Sequence, residues 1–210
     1  EKQIEILDTT LRDGAQARGI SLSVDDKLNI AASLDMLGVS YIEFGNPSTG
    51  ARELEGFRRV RRHHFETSRI AAFGATRRKD TPVTEDAGVR ALEASGADTI
   101  VLFGKSWDLH VDHVLHTTRE ENLAMIADTV AYFVTRGCRV IYDAEHYFDG
   151  RESDHDYALE TLRAAVRAGA HCITLCDTNG GTMPNEIYEA TQEAVSILQV
   201  PVGIHCHDDC

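Results

Sequence analysis

Two histidines near the end of the chain, His205 and His207, are separated by one residue within an apolar run. Side chains two residues apart on a β-strand project from the same face, so both imidazoles can reach one metal ion while Cys206 points away. Histidine is a common metal-binding side chain, and a carboxylate such as Asp13 would complete a facial set with positions open for a substrate. The same spacing also fits two polar residues at a strand end, and a loop aspartate commonly caps a turn.

Polar and ionisable residues end most of the other apolar runs as well. Arg12 and Asp13 belong to the sequence DTTLRDGAQ after the first run, and Glu43 lies within the second. Glu145 and Thr178 lie at the ends of two later runs. Sites in parallel α/β folds form at the carboxyl ends of the strands, so these positions predict a functional site there. Arg12 could instead form a surface salt bridge, and Thr178 could cap a turn.

The elements that must position these residues repeat as a helix, then a glycine, then a short apolar strand. The glycines fit the position just past a helix end, where a left-handed backbone is needed. They are Gly38, Gly96, Gly137 and Gly169. The apolar runs after them are nearly continuous, as expected of parallel strands covered on both faces. With the less regular units included, strands are predicted near residues 4–7, 41–44, 69–73, 99–103, 139–142, 172–175 and 202–205.

Helices are predicted between these strands. Ser23 and Asp26 resemble the capping box that begins a helix, and Pro184 suits the first turn of a helix that runs to about residue 198. The patterns over residues 120–136 and 157–168 are also helical. Four apolar residues mark the buried face of the first helix: Leu28, Ala31, Leu34 and Leu37.

About seven strands alternating with six helices fit either a doubly wound open sheet or a (β/α)₈ barrel. No GxGxxG motif follows the first strand, which weakens the dinucleotide-binding form of the open sheet. No Pro/Gly/Ser-rich linker interrupts the pattern, so we expect one domain over residues 1–210. If the fold is a barrel, the sequence ends after the seventh strand and the domain is incomplete at its C-terminal end.

Composition excludes several classes of protein. The 210 residues carry a formal net charge of -13, which argues against nucleic acids and anionic membranes as partners. No apolar run approaches the roughly 18 residues that span a bilayer, and no signal peptide is expected. The five cysteines form no CxxC pair and three lie in or beside apolar runs, so we expect a reducing cytoplasm.

Two motifs and their order resemble a family of metal-dependent condensing enzymes and lyases. DTTLRDGAQ at residues 8–16 and HCH at residues 205–207 are similar to its two signatures. The family includes isopropylmalate, homocitrate and citramalate synthases and HMG-CoA lyase. Three longer strings resemble the citramalate synthase branch: FGKSWDLHV, YDAEHYFDG and LCDTNGGT. The resemblance covers nearly the whole chain and implies a TIM (β/α)₈ barrel, here truncated after its seventh strand.

The resemblance also implies a set of ligands for a divalent metal. Asp13, His205 and His207 would hold the cation, and a 2-oxo acid would chelate it. The family implies Mg²⁺ or Mn²⁺, while histidine and carboxylate ligands also accept Zn²⁺. The family usually has Asn where this chain has Asp208, which adds a carboxylate beside the proposed metal.

Further roles follow from the same resemblance. Arg12 would face the keto oxygen, where negative charge develops, and Glu43 would orient Arg12 through a forked ion pair. Thr178 would bind the substrate carboxylate. Three other residues would line the pocket, with the last of them near the acetyl-CoA end: Gln16, His110 and Glu145. The sequence does not identify the general base.

The implied activity is an acyltransferase that joins acetyl-CoA to a small 2-oxo acid in branched-chain amino-acid biosynthesis, with citramalate from pyruvate favoured. A homodimer is also implied. The alternatives are isopropylmalate or homocitrate synthase, an aldol-type lyase such as HMG-CoA lyase, and an inactive or binding-only barrel fragment. The basic stretch Arg77-Arg78-Lys79 follows the third strand and could attract the phosphates of CoA.

Overall fold

The computed structural model describes residues 4–207, so the predictions that concern Asp208 lie outside the described residues. One sheet contains seven strands in the order β1-β2-β3-β4-β5-β6-β7. The strands are β1 (Leu7–Asp8), β2 (Tyr41–Gly45), β3 (Arg69–Ala75), β4 (Thr99–Lys105), β5 (Arg139–Glu145), β6 (Cys172–Asp177) and β7 (Val202–Cys206). The pairs β1–β2, β2–β3, β5–β6 and β6–β7 are parallel. The unbroken sequential order is that of a (β/α) barrel rather than of a doubly wound sheet.

Helices connect the successive strands, as the sequence predicted. They are α1 (Val24–Leu37), α2 (Ala51–Val60), α3 (Ala87–Ser95), α4 (Asp108–His110), α5 (Arg119–Val134), α6 (Tyr147–Ser153), α7 (His155–Arg167) and α8 (Pro184–Ile197). The short helices α4 and α6 follow the ends of β4 and β5 and were not predicted. No helix within residues 4–207 combines the length and apolar character that a bilayer-spanning segment requires.

The predicted start and end of α1 are confirmed by its caps. The Ser23 side chain accepts from the backbone of Asp26, and the Asp26 side chain accepts in return, which completes the capping box of α1. Gly38 ends α1 with a φ of 88°, a left-handed conformation that favours glycine. The predicted apolar face of α1 is right for Leu28 and Ala31, which are buried, but wrong for Leu37, which is 76% exposed at the last turn.

The strands extend further than their apolar runs. Strands β3, β4 and β6 continue for two residues beyond the predicted end and β5 continues for three, so the strands include Lys105, Glu145 and Asp177. The hydrogen-bond ladder depends on the backbone and continues past the point where side chains become polar. The first strand is shorter than predicted, at two residues.

The described chain divides into two compact units. The first comprises the residues up to Gly74 together with Ala87–Val101. Its core surrounds Phe44 and Phe57, whose rings meet edge to face at 5.3 Å between centroids. The second unit comprises Ala75–Asp86 together with the residues from Leu102 onward. Its core contains fully buried side chains from α5, β5 and α7, among them Phe133, Tyr142 and Leu162.

Candidate functional site

A tight turn after β1 carries the first group of predicted residues. The carbonyl oxygen of Thr9 accepts from the backbone N–H groups of Arg12, Asp13 and Gly14 at 3.1, 2.9 and 3.2 Å. Leu11, which lies in this turn just before Arg12, is completely buried and anchors the turn in the core. The turn therefore fixes the backbone from which the Arg12 and Asp13 side chains project.

The Arg12 side chain is held by three neighbours in the same unit. Its Nε donates to Oε2 of the fully buried Glu43 at 2.5 Å, and its Nη1 lies 3.3 Å from Oδ1 of Asp13. The guanidinium carbon lies 3.9 Å from the centre of the Phe73 ring. A flat cation held at its edge by a carboxylate and on its face by an aromatic ring has little rotational freedom. Sequence reasoning paired Arg12 with Glu43 but missed Phe73, which read as an ordinary strand residue.

A cavity of about 400 Å³ lies beside Arg12 in this unit. Gln16 lines it with Arg12, and so does the buried Lys27, whose Nζ contacts both carboxylate oxygens of Glu53 at 2.9 and 2.8 Å. Gly45 borders the cavity where a Cβ would lie 2.1 Å from Oε2 of Glu53. A side chain at this position would push the Glu53 carboxylate away from its present place beside Lys27.

In the second unit, His205 lies on β7 and His207 directly follows it. The rings of His205 and His207 are stacked, with centroids 4.9 Å apart and planes inclined by 16°. A ring nitrogen of one lies within 4.8 Å of a ring nitrogen of the other. Cys206 between them is exposed, as the alternation of a strand requires. The backbone N–H of His207 donates to the Asp177 carbonyl at 3.2 Å, which ties the end of β7 to β6.

Two further side chains approach His205. Asp143 and Cys176 are buried, and one ligand atom from each lies within 4.8 Å of a His205 ring nitrogen. The sequence analysis placed Asp143 just after a strand without a role and read Cys176 as part of an apolar run. Both assignments overlooked the alternation of β5 and β6, which turns these two residues toward the face that carries His205.

Glu145 ends β5 in an ion pair. Its Oε2 accepts from Nζ of Lys105, the last residue of β4, and both side chains are largely buried. Lys105 had no predicted role, although its position directly after an apolar run was the same signal that identified Glu145. The pair fixes the position of the Glu145 carboxylate.

Thr178 makes a contact that leaves its proton available. Its Oγ1 accepts from the backbone N–H of His146 at 3.0 Å. A hydroxyl that accepts through oxygen can still donate its own hydrogen to an acceptor elsewhere. His146, which lies in the left-handed region with a φ of 54°, in turn contacts Asp149 through its Nδ1 at 3.2 Å.

His110 belongs to a cluster of rings. Its ring centroid lies 4.5 Å from that of His146 and 4.9 Å from that of Trp107. Burial, and after it the neighbouring His146 and Lys105, lowers the pKa of His110 below its ordinary 6.5. The imidazole is therefore neutral at physiological pH. The sequence analysis assigned no role to His146 and did not anticipate this cluster.

The basic stretch that follows the third strand is engaged in ion pairs. Arg77 is buried and contacts Glu121 at 2.7 Å and Asp128 at 2.8 Å. Arg78 contacts Asp86 at 3.0 Å. These carboxylates neutralise the arginines, which weakens the expectation that the stretch attracts phosphates.

The first unit thus brings together Arg12, Asp13, Gln16 and Glu43, and the second unit carries His110, Glu145, Thr178, His205 and His207. A parallel sheet in sequential order, with polar residues at its strand ends, defines a (β/α)-barrel protein. The chain belongs to the HMGL-like family, whose model matches residues 3–210.

Curated relatives are similar to this chain in sequence, and a solved structure is similar to it in fold. The chain is 47% identical over 208 residues to (R)-citramalate synthase of Sulfolobus acidocaldarius and 46% identical over 209 residues to that of Aquifex aeolicus. Each match covers 99% of this chain and 40% of the relative, so the chain spans about 40% of the length of these proteins. The crystal structure of HMG-CoA lyase from Brucella melitensis is similar in fold, with a TM-score of 0.78 and 17% identity, over 99% of this chain and 73% of that chain.

Proposed function

We propose that this chain supplies the barrel domain of an acyltransferase that condenses acetyl-CoA with a small 2-oxo acid, with pyruvate as the favoured acceptor and citramalate as the product. Membership of the HMGL-like family supports this class of reaction. The citramalate assignment draws on relatives that carry this name at 46–47% identity.

The observation that carries the proposal is the orientation of Arg12. Glu43 and Phe73 hold the guanidinium in a fixed plane beside Asp13, at the wall of a cavity. When a carbon nucleophile attacks the keto group of a 2-oxo acid, negative charge develops on the keto oxygen. A preorganised cation at that oxygen stabilises the transition state without having to reorient, an effect commonly worth about 3–4 kcal/mol per donor.

A divalent cation fits the donors that we propose for it. Two imidazoles with ring nitrogens within 4.8 Å of each other suit one cation, and Asp13 would supply the carboxylate. When bound, the cation would act as a Lewis acid on the keto and carboxylate oxygens of the substrate. The preferred cation is Mg²⁺ or Mn²⁺, with Zn²⁺ as the alternative.

The remaining residues would bind and orient the substrates. The Thr178 hydroxyl accepts from His146, so we assign its proton to the substrate carboxylate. Gln16 lines the cavity beside Arg12, and neutral His110 can donate or accept a hydrogen bond without adding charge. We assign Glu145, fixed by Lys105, to the acetyl-CoA end of the pocket.

A steady-state assay tests the proposal. The longest natural polypeptide that contains this chain is incubated with acetyl-CoA, Mn²⁺ and one of several 2-oxo acids, and release of the CoA thiol is followed. We expect release to depend on pyruvate and to be much slower with 2-oxoisovalerate or 2-oxoglutarate. A preference for either of the latter would instead indicate an isopropylmalate or homocitrate synthase.

Two other outcomes would contradict the proposed reaction. Cleavage of a hydroxyacyl-CoA without any condensation would indicate an aldol-type lyase. Binding of Mn²⁺ and pyruvate without turnover would indicate a barrel that only binds these ligands.

A further inference from the structure

Three neighbouring strands of the second unit place a second set of ligands on one face of the sheet. In the register of β6 and β7, Cys176 is directly opposite His205. In the register of β5 and β6, Asp143 is opposite Thr174, which precedes Cys176 by two residues. Residues two apart on a strand share a face. Asp143 and Cys176 are therefore diagonal neighbours, and both project toward the side that carries His205.

The distances among these side chains suit a cation. One carboxylate oxygen of Asp143, the Sγ of Cys176 and one ring nitrogen of His205 all lie within 4.8 Å of one another. Tetrahedral Zn²⁺ with ordinary bond lengths brings such atoms to about 3.5 Å apart, so side-chain shifts of about 1 Å are sufficient. Cys176 is in the thiol form and not in a disulfide.

We propose that Asp143, Cys176 and His205 form a second cation site, selective for Zn²⁺ and similar borderline-soft ions. A thiolate, an imidazole and a carboxylate are the three ligand types that zinc accepts, and a fourth position remains for water. Hard cations such as Mg²⁺ bind thiolates poorly. Asp143 is 4% exposed and Cys176 is 6% exposed, so both ligands lie in a low-dielectric environment that strengthens ionic coordination.

Binding at this site exchanges the proton of the Cys176 thiol for the cation. The cation forms one bond to the Cys176 sulfur and displaces the thiol proton, which leaves to solvent. No electron is transferred, and the zinc ion remains divalent.

The two sites would compete because both use His205. This part of the inference rests on the proposed function, in which His205 also binds the catalytic cation. A single imidazole that turns toward Cys176 is withdrawn from His207. Zn²⁺ bound to Asp143, Cys176 and His205 would therefore inhibit the enzyme, because it deprives Mg²⁺ or Mn²⁺ of one ligand. It would not need to occupy the Mg²⁺ or Mn²⁺ position itself.

Cobalt chloride tests the thiolate site directly. Co²⁺ substitutes for Zn²⁺, and a cobalt–thiolate bond gives a near-ultraviolet charge-transfer band that nitrogen and oxygen ligands do not give. We expect this band in the wild-type chain, and we expect Zn²⁺ to abolish it. Absence of the band in the wild type would overturn the proposal.

Matched variants identify the ligand. Cys176→Ser and Cys176→Ala should both lose the band. Loss of a group that only supports a metal ligand commonly weakens metal binding by about 10- to 100-fold, so loss of the thiolate ligand itself should weaken Zn²⁺ binding by at least that much. Cys172→Ser, on the same strand, should retain the band. Far-ultraviolet circular dichroism verifies that each variant is folded. A band that survives in folded Cys176→Ser or Cys176→Ala would overturn the assignment.

A further variant separates this inference from the proposed function. His207→Ala removes a ligand of the proposed catalytic site but none of the second site, so it should lose Mn²⁺ binding and retain the cobalt–thiolate band. Unchanged Mn²⁺ affinity in that variant would contradict the proposed catalytic cation site, but it would leave the second site untouched. Zn²⁺ should raise the apparent Kd of the wild type for Mn²⁺, whereas simultaneous binding without competition would overturn the inference.

Discussion

Arg12 has its guanidinium plane determined by neighbours of three different kinds. A buried carboxylate, the carboxylate of the adjacent residue and an aromatic face each contact a different part of the group. Lysine can replace the charge, but it cannot reproduce the planar fork or the stacking on Phe73. The position of the positive charge relative to a substrate oxygen therefore depends on arginine specifically.

The variant Arg12→Lys tests this dependence at the scale of one residue. We expect kcat to fall about 100- to 1,000-fold, the usual effect of losing one donor to a developing oxyanion, while the melting temperature changes little. Steady-state kinetics and differential scanning calorimetry measure the two quantities. Arg58→Lys, at an arginine with 66% side-chain exposure, is the matched control and should be close to wild type. A near-normal kcat in Arg12→Lys would remove the proposed role.

At the scale of elements, the site depends on short connections that lie close to the strand ends. Helix α6 begins directly after β5 and passes the connection that follows β4. Gly150 lies at this crossing, where a Cβ would be 2.2 Å from the carbonyl oxygen of Ser106. A backbone atom at that distance cannot move aside as a flexible side chain could.

Gly150→Ala should therefore destabilise the chain by about 1–3 kcal/mol. The effect is measured as a lower midpoint of urea denaturation at an unchanged m-value. Gly181→Ala is the matched control, because no described heavy atom outside its immediate neighbours lies within 4 Å of a Cβ at that position. Its expected effect is within about 0.5 kcal/mol. Equal effects of the two substitutions would contradict the steric explanation.

Asp35 connects the last turns of α1 to the segment before β3. Its carboxylate accepts from the backbone N–H groups of Glu66, Thr67 and Ser68 at 2.9, 2.9 and 2.7 Å. Burial is the largest single effect on the pKa of Asp35 and raises it, but the three N–H donors together lower it below 3.8. A carboxylate with a lowered pKa in the folded state stabilises the fold above pH 3.8, and this contribution is lost as the pH falls through the folded-state pKa.

Asp35→Asn should cost about 1–2 kcal/mol at pH 7, because the Asn amide opposes one of the three N–H groups with a donor of its own. Urea denaturation at several pH values measures the difference from wild type. The difference should narrow as the pH falls below 3.8, because the carboxylate then becomes protonated first in the unfolded and finally in the folded wild-type chain. A difference that stayed constant down to pH 2.5 would show that the charge does not contribute.

At the scale of the whole molecule, charge favours cations over anions. A formal net charge of -13 attracts divalent metals and repels anionic partners. Positive charge near the proposed substrates must then be local. Arg12 places a cation at the wall of the cavity, where Glu43 and Asp13 also contact it. Arg77 lies between two carboxylates and does not line this cavity.

The proposed cation site should link metal binding to global stability, because Asp13 follows the first strand whereas His205 and His207 lie on and directly after the seventh. Mn²⁺ at about 100 times its Kd should stabilise the wild-type chain by about 2.7 kcal/mol. Asp13→Ala and His207→Ala should abolish this stabilisation and the heat of Mn²⁺ binding in calorimetric titration. His64→Ala, at a side chain with 84% exposure, should retain both. Full metal stabilisation in both ligand variants would exclude the site.

Much of the fold was predictable because local signals determine it. The capping box at Ser23, the left-handed glycines and the continuous apolar runs specify where helices and strands begin and end, whatever the distant surroundings are. The predicted strand ends were too early for a physical reason. An apolar run marks where side chains are covered, whereas the strand continues as long as its backbone hydrogen bonds do. Leu37 fits the helical period of α1 yet lies beyond the part of the helix that the core covers.

The site was predictable only in its chemical types. The sequence by itself determined that carboxylates, an arginine and paired histidines follow strands, because motif spacing and strand alternation are local properties. The tertiary structure alone decided which ring stacks on Arg12, that Lys105 pairs with Glu145, and that Asp143 and Cys176 approach His205. These contacts join residues that are about 30 to 60 positions apart in the sequence, and their partners are set by the register between strands, which no single segment encodes.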